Sequence, residues 1–188
     1  MKLIISFFIN KWWWGKLLVF DNFVESNYSS FEAEINIWKK EVDLFVDFSG
    51  GNEREKSESN EKYLQNSLNL IQEEIDWIKI NKNKIKDVLL EEDSIELAET
   101  TASSAHLLEC ADEECYMMDD GSKVYFPITK DDFIDSLYIE SVSVDFDEEM
   151  NTSIELILLC YPDYFRGQFF VIGIDKDKNI NFKGLEEE

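Results

Sequence analysis

The apolar residues of this chain change period twice, and that change limits the fold more than any motif does. From Phe31 to Trp38, and again from Val42 to Phe48, apolar and polar side chains alternate, as in strands with one face buried and the other wet. Lys39-Lys40-Glu41 between them is short enough for a hairpin turn, so the two strands are expected to pair antiparallel. From Lys62 the period becomes helical: Leu64, Leu68, Ile71, Ile75 and Ile78 recur three and four apart, one face of an amphipathic helix. A second helix is expected after Asn81, with Ile85, Val88, Leu89 and Leu90 apolar, Lys82, Lys84 and Lys86 between them, and an end between Glu92 and Glu99. Thr129, with acids in the turn that follows, predicts a capped short helix from Lys130 to Leu137. Alternation returns from Tyr138 to Phe146, apolar runs follow at Ile154 to Tyr161 and Gln168 to Ile174, and a last strand is expected near Ile180 to Phe182. Strands, then helices, then strands predict an α+β fold: an antiparallel meander with two to three helices packed on one face.

The 188 residues are read as a single domain, with 49–60 a mobile connection rich in glycine, hydroxyls and charge. Residues 100–121 lack a clean period and are read as an acidic insertion or loop, with one helical turn around Ala105 to Cys110. The apolar run in Met1 to Ile9 stops at Asn10-Lys11, has no small-residue cleavage site after it, and leads through Trp12 to Trp14 into a second run, Leu17 to Phe20. Buried strands joined by a turn fit this better than a leader or a membrane span. Three cysteines, Cys110, Cys115 and Cys160, are too few for a disulfide framework and fit a reducing compartment, so the cytoplasm is the expected location.

Catalysis has no foothold in the sequence. His106 is the only histidine, and with Cys110 and Cys115 it makes an H-x3-C-x4-C spacing that matches no structural zinc site. The acids around these thiols would raise a thiol pKa rather than activate a nucleophile. Asp175 to Asn179 imitates the start of a calcium loop, but Ile180 stands where the sharp turn needs glycine, so a hairpin turn is the reading. No phosphate-binding glycine loop and no nucleophile elbow is present. No cofactor and no transition metal are expected.

The acids are the most informative feature. The chain has 41 acidic against 18 basic side chains, a net charge of -23 and a pI near 4.3, which disfavours nucleic acid and anionic membrane as ligands. Twenty carboxylates against Lys123 and Lys130 fall between Asp87 and Glu149. Glu91, Glu92, Asp93, Glu96, Glu99, Asp112, Glu113, Glu114, Asp119 and Asp120 are the candidate partner-binding residues, since such a field would steer a basic protein to this surface. A solvated surface that keeps the chain soluble is the plain alternative.

The order Phe31-Glu-Ala-Glu-Ile-x-Ile-Trp38, strand Val42 to Phe48, two helices, Ile128-Thr129-x-x-x-Phe133 leading into Leu137-Tyr-Ile-x-Ser-Val, and Tyr161-Pro-Asp-x-Phe165-x-Gly167 resembles a family of small bacterial α+β domains. Its members are similar to immunity proteins found beside polymorphic or contact-dependent toxins. The resemblance implies a protein that neutralises a cognate toxin by binding it; the surplus of carboxylates, which can stand where a nuclease expects phosphates, makes a basic nuclease the favoured class. In that family a histidine follows the final Phe-x-Gly, where this chain has Gln168. The alternative is a binding or regulatory module with another partner.

Overall fold

The computed structural model of the chain describes residues 18–25, 30–48, 58–91, 93–109 and 114–187. Met1 to Ile9, Trp12 to Trp14, most of the 49–60 connection, Cys110, and the acids Glu92, Asp112 and Glu113 lie outside the described residues.

Among the described residues seven strands form the main sheet: β1 (Val24–Glu25), β2 (Ser30–Ile37), β3 (Lys40–Asp47), β7 (Leu137–Phe146), β8 (Thr152–Cys160), β9 (Phe169–Ile174) and β10 (Ile180–Glu186), side by side in that order. Between β3 and β7 the chain builds α1 (Glu58–Ile80), α2 (Lys82–Glu91), α3 (Ser94–Ala102), a small sheet of β4 (His106–Leu108), β5 (Cys115–Met117) and β6 (Lys123–Tyr125), and then α4 (Lys130–Ser136). One row of residues crosses six strands: Ala33, Leu44, Val142, Leu156, Ile172 and Phe182 stand opposite one another in turn. They belong to one apolar core with Leu64, Ile71, Ile75 and Ile78 of α1, Ile85 and Leu89 of α2, and Ala98 and Ala102 of α3. The other face of the sheet carries Glu34, Asp43, Asp47, Asp145 and Glu155, none of them buried. Partial burial together with the charges of Asp47 and Glu155 pushes the Asp145 carboxyl up, with Lys183 partly offsetting it.

The sheet is mixed rather than a purely antiparallel meander. β3 and β7 run parallel, with Leu44 opposite Val142 and Val46 opposite Val144. The connection between them passes through all four helices and returns to the end of the sheet where β3 began, and a crossover of that kind makes its two strands parallel. Among the described residues there are four α-helices rather than two or three. The expected second helix is two, because Asp93 takes a left-handed conformation (φ 51°) between α2 and α3. Ala105 to Leu108 is not a helical turn: His106–Leu108 is strand β4, paired with β5. Leu18 to Phe20 does not belong to a strand, since a 3-10 turn spans Phe20–Asn22 and the Asn22 carboxamide accepts from the Val19 N–H.

Local chemistry explains several boundaries. Ile37 pairs with Lys40, so the β2–β3 turn is Trp38-Lys39 alone, both at positive φ (49° and 72°), and Lys40-Glu41 already belongs to β3. The three connections of the β7 to β10 meander share one device. Asp147, Asp163 and Asp175 each accept backbone N–H bonds from residues two and four further on. The residue three positions on is left-handed each time: Met150, Arg166 and Lys178. The Asp175 segment is therefore a hairpin turn. Thr129 caps α4 as its sequence implies, accepting from Asp132 N–H at 3.1 Å while the Asp132 carboxylate takes the Thr129 N–H at 3.3 Å. Thr129→Ala should lower stability by about 1 kcal/mol; a urea midpoint equal to that of the parent would show that the cap contributes nothing.

Candidate functional site

The acids that the sequence singles out separate into those spent on internal contacts and those left free. Glu99, on α3, accepts the Ile128 N–H at 2.8 Å and so ties the loop before α4 to that helix. Asp119 pairs with Arg166 at 2.9 Å, joining the β5–β6 turn to the loop after β8, and the same guanidinium reaches the Ser104 hydroxyl at 3.5 Å. Glu114 accepts from the Tyr116 hydroxyl, and its carbonyl accepts the Phe126 N–H at 2.9 Å. Burial pushes the Asp120 carboxyl up, but hydrogen bonds from the Ser122 hydroxyl and N–H hold it below the usual carboxylate range. These four carboxylates are structural parts of the small sheet and its surroundings. Asp93 and Glu96 are exposed, and Glu91 closes α2. Glu96, Glu109 and Asp131 are exposed, and their carboxylates have no hydrogen bond or ion pair among the described residues.

The contacts of Glu99, Asp119 and Arg166 bring together the small sheet, the start of α4 and the Tyr161 to Gln168 loop. Between them lies a cavity of about 330 Å³ lined by residues that include Lys123, Tyr125, Asp132, Asp135, Tyr161 and Tyr164. Tyr125 and Tyr161 are 50% and 67% exposed, large aromatic surfaces to leave in water. Leu107 and Met117 of the same small sheet are also exposed. Tyr164 forms the inner wall; burial, with Cys160 and Asp132, pushes its phenol up to about 12, so it stays neutral. Both X-Pro peptide bonds in the chain are cis, Phe126-Pro127 and Tyr161-Pro162, and Pro162 lines the cavity.

A wider groove of about 640 Å³ lies over β2 and β3, lined by residues including Glu32, Glu34, Glu41, Asp43 and Phe45. It is an open sheet face with no buried polar group directed at a ligand.

The thiols and the histidine lie elsewhere than on the linings of these two concavities. The Cys160 thiol is buried and pushed up to about 12, chiefly by that burial, far from thiolate chemistry at neutral pH. Cys115 is buried and His106 is exposed on β4. No three potential metal ligands cluster among the described residues. The cavity presents aromatic faces and carboxylates to whatever enters it. The tyrosines carry no charge, so charge counting passes over them; the signal for them is the Tyr161-Pro-Asp-x-Phe165-x-Gly167 stretch, whose aspartate and glycine build the loop.

No helix among the described residues is long and apolar enough to cross a membrane. No curated protein and no solved structure matches the chain. A family model described as an uncharacterised protein conserved in bacteria matches residues 19–185, the stretch that carries the sheet, the helices and the tyrosine-lined cavity. The chain therefore belongs to this bacterial family, DUF2262.

Proposed function

We propose that this protein is an immunity protein: it binds a cognate, basic bacterial toxin domain in the cytoplasm and blocks it by occlusion, without catalysis. The observation that carries the reading is the pairing of exposed Tyr125, Tyr161, Met117 and Leu107 with surplus carboxylates on the surrounding elements. Interfaces that bind tightly have aromatic and Met anchors inside a polar rim, and the sign of the rim selects the partner. A nuclease is the favoured toxin class, because carboxylates compete well for the basic groups that hold phosphates. The test is protection: a host killed by the toxin domain encoded beside this gene should grow when this chain is co-expressed, and the two should purify as one complex. A folded chain that neither protects nor co-purifies would end the reading.

Charge should act mainly on the rate of capture. Changing Glu96, Glu109 and Asp131 together to their amides should slow association with the toxin at low salt and flatten its salt dependence, with little change in the thermal melt. An unchanged on-rate at low salt would mean that these carboxylates only solvate the surface. Glu99→Gln, by contrast, should act on stability, because it weakens the hold on Ile128.

A further inference from the structure

One group in the cavity is not explained by packing. Tyr164 is 4% exposed and its ring stacks on Phe133 with centroids 6.4 Å apart, yet its hydroxyl has no hydrogen-bond partner among the described residues. Two other unpartnered polar atoms, Trp38 Nε1 and Ser67 Oγ, are sealed from solvent. The Tyr164 hydroxyl is not sealed in that way, and Tyr164 lines the cavity. With no protein group bonded to it, this hydroxyl is available to a hydrogen-bonding group that enters the cavity.

The neighbours define the ligand's chemistry. Asp132 gives its Oδ2 to the Thr129 cap, which leaves Oδ1 free, and the Asp135 carboxylate makes no hydrogen bond among the described residues. An anion would meet two carboxylates, and a neutral apolar group would leave them and the phenol unused. A planar cation satisfies all of them: it stacks on half-exposed aromatic rings, donates to carboxylates in a fork, and can donate to a neutral phenol oxygen. Lys123, on the exposed rim, has a flexible stem that can swing aside.

We propose that this cavity receives an arginine side chain of the partner protein, its guanidinium against Tyr125 and Tyr161 and within reach of Asp132, Asp135 and the Tyr164 hydroxyl. The identity of the partner rests on the toxin-binding reading above; the arginine site does not.

The site can be tested first without the partner. N-acetyl-arginine amide is titrated into the full chain carrying 13C-labelled tyrosine rings, beside N-acetyl-citrulline amide as the neutral isostere. The arginine probe should saturably shift Tyr125, Tyr161 and Tyr164, with a Kd on the order of millimolar, and the citrulline probe should not. Tyr164→Phe, which keeps the ring, and Asp135→Asn should each weaken the arginine probe by about tenfold, as the loss of a charge-assisted hydrogen bond does, while the melts stay close to the parent's. Equal shifts from citrulline, shifts confined to other tyrosines, or variants that bind as the parent does would overturn the proposal. With the toxin in hand, unchanged affinity of a Tyr161→Ala, Asp135→Asn double variant would also overturn it and leave the neutralisation reading intact. Probe binding as expected, with no toxin protected against, would support the site and remove that reading.

Discussion

Replacing Lys86 by alanine should destabilise the protein by about 3 kcal/mol, an effect of the size expected for a core leucine. Lys86 is 1% exposed, deep under α2, and its ammonium donates to the Leu137 carbonyl at 2.7 Å and to the Ile134 carbonyl, the acceptors freed where α4 ends and β7 begins. It also lies 5.4 Å from the centre of the Trp38 ring, in the β2–β3 turn. Alanine removes the stem that packs there and leaves two carbonyls without a donor. Lys86→Met restores most of the volume, so its smaller loss would isolate the hydrogen-bonding part.

The pH dependence has a definite sign. Burial, reinforced by the charge of Lys82 and partly opposed by Asp135 and Cys160, lowers the Lys86 pKa from 10.5 to about 8. Between these values the unfolded chain holds the proton and the folded chain has released it, so stability rises with pH from about 8 to 10.5 and no longer depends on this group below that window. The difference in unfolding free energy between the parent and Lys86→Met should therefore shift in the parent's favour from pH 7 to pH 10.5, by on the order of 3 kcal/mol. Urea melts of both proteins at several pH values measure this, with the other lysines and tyrosines cancelling in the difference. A flat difference would mean that the ammonium is not strained by its surroundings.

Phe133→Ala should cost about 4 kcal/mol, within the range for buried aromatic truncations. Phe133 of α4 is fully buried and meets three rings: Tyr164 stacked at 6.4 Å, and Phe165 and Phe170 edge-on at 6.4 and 6.2 Å. Its removal unpins α4 from the sheet and takes away the support of the Tyr164 ring at the back of the cavity. Phe133→Leu should recover more than half of the loss, since it refills most of the space. A chemical-denaturation midpoint for the alanine variant near the parent's would show that the aromatic cluster repacks around the gap.

Much of the main sheet is legible in the sequence because its strands are long enough to display a period. Eight residues in β2 and β3 and nine in β8 bury every second side chain, ten in β7 do so apart from one bulge at Glu140, and α1 shows its helical stripe for the same reason. The strands of the small sheet have three residues each, too few to separate one period from another. The parallel pairing of β3 with β7 is a contact between distant segments, which no local pattern encodes. Lys86 reads as part of the polar stripe of α2, yet the open carbonyls of another element draw it inside. The candidate site divides along the same line. Acid density is visible in sequence, but whether a given acid is free depends on distant partners, such as Ile128 for Glu99 and Arg166 for Asp119.

That parallel pairing also sets an order of events during synthesis. The β2–β3 hairpin can close as soon as it leaves the ribosome, but β3 then waits with an open edge while the 89 residues between Asp47 and Leu137 are made. At about 5–20 residues per second the wait lasts on the order of 5–20 s, long enough for another nascent chain to pair with that edge. Glu41, Asp43 and Asp47 on β3 give every copy of this edge the same charge, so neighbouring chains on one messenger repel one another during the interval.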